Sequence, residues 1–84
     1  MLETINQPIV VQTLFNHGQI KPLSFCWNQV CFKIDKIIFT HQSRSGQTVL
    51  YFFTVICQQL VYQLQFNQQT FVWKLLQIYD DPSC

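Results

Sequence analysis

The stretch Leu23-Ser24-Phe25-Cys26-Trp27-Asn28-Gln29-Val30-Cys31-Phe32-Lys33-Ile34 is nearly mirror-symmetric about Asn28-Gln29 in its pattern of residue types. A two-residue reversal at that centre sets Trp27 opposite Val30, Cys26 opposite Cys31, Phe25 opposite Phe32 and Leu23 opposite Ile34. Strand side chains alternate between faces, so Leu23, Phe25, Trp27, Val30, Phe32 and Ile34 share one face and the two cysteines share the other. A half-buried hairpin is therefore expected. The turn has no glycine, and its type stays open.

Strand signals continue on both sides. Ile9–Phe15 is a strand run closed by the turn Asn16-His17-Gly18-Gln19, in which Gly18 supplies positive φ. Ile20–Trp27 follows, and Pro22 makes its start an edge or a bulge. In Val30–Phe39 the alternation breaks at Lys36, since Ile37, Ile38 and Phe39 are all apolar; this predicts a bulge or sharp bend. Thr40–Thr48 reads as a polar loop. Val49–Val55 is apolar on both faces and is expected centrally in the sheet. Leu60, Tyr62, Leu64 and Phe66 alternate with Val61, Gln63 and Gln65, and after an Asn67-Gln68-Gln69 turn Phe71, Trp73 and Leu75 open a last strand. That strand slips phase at Leu75-Leu76. A helix competes over 70–79, but β-branched and aromatic residues favour a strand.

The expectation is one all-β domain over 1–84, a small bent antiparallel sheet or SH3-like barrel of about six strands, with loose termini at 1–7 and 80–84.

Composition narrows function by exclusion. The chain has 84 residues, is 49% hydrophobic and 15% aromatic, and so is apolar enough to build a core. Only 11% is charged and the formal net charge is +1, so long-range attraction to nucleic acid or anionic membrane is weak. Thirteen Gln carry much of the polarity, many of them on the outer positions of strands. The most apolar run, Val49–Cys57, is too short to span a bilayer, and no membrane partner is expected. Met1-Leu2-Glu3-Thr4 lacks the basic stretch and apolar core of a secretory signal, which points to the cytoplasm.

An intracellular chain favours thiols at Cys26, Cys31, Cys57 and Cys84. Directly opposed hairpin residues nonetheless suit a cross-strand disulfide, so Cys26 and Cys31 form a candidate redox pair whose state the sequence leaves open. No C-x₂-C pair exists, and neither a metal nor another cofactor is expected. With no nucleophile elbow and no paired carboxylates beyond Asp80-Asp81, no enzyme is expected.

Several segments together resemble a family of small, mostly stand-alone bacterial domains of unknown function. They are Pro8-Ile9-Val10-Val11, Ile20-Lys21-Pro22-Leu23-Ser24-Phe25 with Trp27, Phe32-Lys33-Ile34, Thr40-His41 with Arg44-Ser45-Gly46, Tyr51-Phe52-Phe53, and Val72-Trp73-Lys74-Leu75 with Ile78-Tyr79. Some members are encoded beside translesion DNA polymerases, so the resemblance implies a loose link to DNA repair and no established activity.

Two clusters are candidate sites. His41, Ser43, Arg44, Ser45 and Gly46 hold the sole arginine between two hydroxyls, a cradle for a phosphate or carboxylate. Lys33, Lys36, Arg44 and Lys74 with Tyr51 and Phe53 form a basic-aromatic set suited to stacking single-stranded bases. The leading reading is a non-catalytic module that binds a protein or self-associates through an edge strand, notably Ile9–Phe15, or through an apolar face. A nucleic-acid-binding module is the alternative.

Overall fold

The computed structural model describes residues 2–80, and the expectations placed on Met1 and on 81–84, Cys84 included, lie outside them. Its strands are β1 (Leu2–Asn16), β2 (Gln19–Trp27), β3 (Val30–Lys33), β4 (Lys36–Ser45), β5 (Thr48–Cys57), β6 (Leu60–Asn67) and β7 (Val72–Asp80). They form one antiparallel sheet in the order β3-β2-β1-β7-β6-β5-β4, curled into a half-barrel. The all-β expectation holds, with seven strands rather than six.

The central hairpin has the expected register: Trp27 pairs with Val30, Cys26 with Cys31 and Phe25 with Phe32. Asn28 and Gln29 have φ of 54° and 65°, so the turn is the primed type whose twist matches the flanking strands. Gln58-Gln59 repeats this device between β5 and β6, with φ of 52° and 69°. Cys26 and Cys31 are joined by a disulfide. Phe25 is fully buried and Trp27, Phe32 and Ile34 pack against the core, whereas Leu23 and Val30 on the same nominal face are exposed.

The predicted bend is real and has two parts. Pairing stops at Ile34-Asp35, and Ile38 is an extra residue between Ile37, opposite Val55, and Phe39, opposite Thr54. The run read as one strand is thus two, on opposite edges of the sheet. Curling brings those edges together: the Ile34 N–H donates to the Leu23 carbonyl (3.0 Å) and the Asp35 N–H to the Ile56 carbonyl (2.9 Å). The Cys57 thiol donates to the Lys33 carbonyl (3.1 Å) at the same place. The second predicted slip is also present, Leu76 being the extra residue between Leu75, opposite Leu64, and Gln77, opposite Gln63.

Three expectations need correction. Leu2–Gln7 is strand rather than a loose lead-in, because β1 pairs first with β7 and then, from Val10, with β2. Thr40–Ser45 is strand rather than loop, paired with β5 up to a tight turn at Gly46-Gln47. Ile9–Phe15 is an edge from Val10 on rather than throughout: Ile9 pairs with Trp73 of β7, whereas Val10–Phe15 pairs with β2 alone. Residues 70–79 hold no helix, and β5 lies one place in from the edge strand β4.

The core sits on the concave side, where Val55, Cys57, Leu64 and Leu75 are fully buried and Phe53, Tyr62, Phe66 and Trp73 nearly so. Phe66 lies 4.9 Å from Trp73 and Phe25 lies 5.0 Å from Tyr62, ring to ring, which adds aromatic contact to the burial.

Candidate functional site

The curl is tied at one end only. Below the Ile34-Asp35 tie, β2 over 19–23 has β1 on one side and, among the described residues, no strand on the other, because β3 pairs only with 24–27. β4 is the far edge of the sheet. An open seam therefore runs between these two segments.

The hydrogen-bonding pattern of each edge follows from its hairpin. Counting back from the closing pair Ser45–Thr48, alternate residues bond to β5, which turns the N–H and C=O of Thr40, Gln42 and Arg44 toward the seam. On β2 the same count from Asn16–Gln19 turns Ile20 and Pro22 toward it. Pro22 has no N–H to offer, so β4 is the better edge for pairing.

Adjoining clefts line the seam, the first two sharing Lys21 and the second and third sharing Ile20 and Tyr51. At the tied end a cleft of about 810 Å³ holds Lys21, Lys33, Lys36 and Asp35. The Asp35 carboxylate accepts the Gln58 N–H (3.0 Å). The middle, about 540 Å³, is lined by Ile20, Lys21, Thr40, Gln42, Tyr51 and Phe53. It leads to a mouth of about 370 Å³ where Phe15 and Phe71, 60% and 71% exposed, stand beside buried Phe66. Phe71 holds a φ of 59°, an uncommon conformation for a bulky residue, where the Asn67 carbonyl accepts its N–H (2.8 Å).

The expected sites fare unequally. The anion cradle is assembled only in part: Ser43 and Arg44 line one small cleft with Gln42 and Val49, while strand alternation sets Ser43 and Ser45 on the face opposite Arg44. His41 stacks between Phe39 (6.4 Å) and Phe52 (5.8 Å) and, with Phe52, lines the outer side of the middle cleft, and Gly46 is a turn residue with φ 62°. Of the basic-aromatic set, Lys33 and Lys36 line the cleft at the tied end on the outer face, Tyr51 and Phe53 line the middle cleft on the core side, and Arg44 adjoins the latter through Gln42. Phe53 is 4% exposed and so forms floor rather than a stacking platform. Lys74 lies apart, opposite Gln65 and Pro8 on the outer face of β7.

Sequence reasoning missed Lys21, Thr40, Gln42, Phe15 and Phe71 as site residues. Pro22 was the available signal for the β2 edge. Thr40 and Gln42 gave none, because a strand exposed along most of its length shows no hydrophobic alternation. Comparison with protein-family models, curated proteins and solved structures returns no match.

Proposed function

We propose that this chain is a non-catalytic interaction module that takes up an extended peptide by strand addition in the open seam. The observation that carries this is the free edge of β4, where Thr40, Gln42 and Arg44 present three donor–acceptor pairs above an apolar floor. A non-catalytic role suits Cys57, which is buried at the tie. Burial, and then the charge of Asp35, push its thiol pKa up, which suppresses the reactive thiolate.

Amide hydrogen exchange tests the reading. The Thr40, Gln42 and Arg44 amides are expected to exchange freely in the protein alone and to gain protection with an extended peptide. Gln42→Pro, which deletes the central donor, should abolish that protection while leaving the β6 and β7 amides slow. Full protection without any ligand would mean the seam is zipped shut.

A second reading rests on Lys33 and Lys36, which gather with Lys21 in the outer cleft at the tied end, with Tyr51 on the inner side of the adjoining cleft, a basic path leading to an aromatic for a single strand of nucleic acid. It also fits the resemblance to domains encoded beside repair polymerases. Anisotropy of labelled single-stranded DNA and RNA at low and physiological salt checks it, with affinity falling steeply as salt rises if it holds.

A further inference from the structure

The seam differs along its length and between its two sides, and these differences specify an occupant. Side chains turned inward meet Ile20, Tyr51 and Phe53, and at the mouth Phe15, Phe66 and Phe71. Those turned outward meet Lys21, and toward the tied end Lys33 and Lys36, while the single carboxylate there already accepts a backbone N–H. A strand alternates its side chains between just these two surroundings.

Direction follows from the sheet. Across the seam β2 and β4 run in opposite directions, so an added strand is antiparallel to one and parallel to the other; antiparallel pairing, the more stable of the two, falls to β4 with its intact N–H groups, and β4 runs from the tied, basic end toward the aromatic mouth. A strand added antiparallel to β4 therefore enters at the mouth and ends among the lysines. Pairing with Thr40, Gln42 and Arg44 takes about five residues, or ~17 Å of chain.

Resting on the strand-addition reading, we propose that the partner is an extended segment with apolar residues at alternate positions and carboxylates at its C-terminal end, lying antiparallel to β4. Its apolar side chains complete the barrel interior, and its carboxylates face Lys21, Lys33 and Lys36. A second copy is a poor occupant, since its one-sided segments at β4, at 19–23 of β2 and at Val10–Phe15 carry Lys21, Lys36 and Arg44 and no acidic residue.

The test uses the intact chain and a synthetic peptide of alternating Val and Ser ending in Asp-Glu-Asp, with binding followed by the fluorescence of buried Trp73. The expected result is saturable binding that weakens roughly tenfold in Lys33→Glu/Lys36→Glu, with thermal unfolding of that variant unchanged. The same peptide with the acidic triplet at its N-terminus should bind more weakly. Equal binding of both peptides, or of one ending in three lysines, overturns the acidic, antiparallel assignment and leaves strand addition standing. Absence of binding by every peptide, with no added protection at Thr40, Gln42 and Arg44, overturns both. Displacement of the peptide by single-stranded DNA at physiological salt would assign the lysines to nucleic acid instead.

Discussion

The wall formed by β5, β6 and β7 and the seam between β2 and β4 are made of similar backbone but treat it in opposite ways. In the wall every strand is bonded on both sides, and Val55, Leu64 and Leu75 are fully buried. At the seam, Thr40, Gln42 and Arg44 keep one side of the backbone unpaired and their side chains largely exposed. The difference separates two tasks: the wall holds the fold, and the seam stays incomplete so that another strand can complete it.

The largest break in this comparison should come from the wall. Leu64→Ala leaves a cavity where Leu75, Tyr62 and Phe53 meet, and should cost about 2–5 kcal/mol in urea unfolding. For a domain of this size that is a large share of total stability.

Removing the Cys26–Cys31 bridge with Cys26→Ser/Cys31→Ser should cost at most about 2 kcal/mol, because the closed loop is short and little chain entropy is at stake. Thermal unfolding against the oxidised parent protein checks this, with the reduced parent expected to match the variant. Gln59→Gly should act the other way, stabilising by up to ~1 kcal/mol, since a glycine holds the positive φ of 69° without steric penalty.

Alkaline pH sharpens the contrast further. Cys57 and Tyr62 have raised pKa values, through burial first, then through Asp35 for the thiol and Cys57 for the phenol. The folded chain thus holds these protons to higher pH than the unfolded chain. Stability should be intact below the ordinary thiol range and fall as pH rises through it. Urea midpoints across that range should show a shallower early fall in Cys57→Val.

The smallest effect is expected at the seam. Gln42→Ala should shift stability by no more than about 0.5 kcal/mol, as for an exposed position without structural partners. A loss comparable with Leu64→Ala would show that the edge belongs to the fold and is no docking surface.

How much of this was legible varied by element. The hairpin at Asn28-Gln29 was, because mirror-related apolar residues can be in register only one way. Both bulges were as well, since Ile37-Ile38-Phe39 and Leu75-Leu76 break a period of two that any extra strand residue must break. The strand Thr40–Ser45 was hidden: neither face is well covered, so no alternation is imposed on it. Leu2–Gln7 was hidden because its pairing partner is β7, at the far end of the chain.

Residue order by itself determined the bent antiparallel β domain, the reversal at Asn28-Gln29, the two bulges and most of the core, though not that Leu23 and Val30 stay exposed. Those properties follow from local alternation and turn chemistry. Only the tertiary structure decided which edges stay unpaired, and that Lys21, Lys33 and Lys36 gather at one end of the seam while Phe15 and Phe71 stand at the other. These placements depend on how the bend at Ile34-Asp35 carries the chain from one edge of the sheet to the opposite one, a long-range consequence that no local pattern encodes.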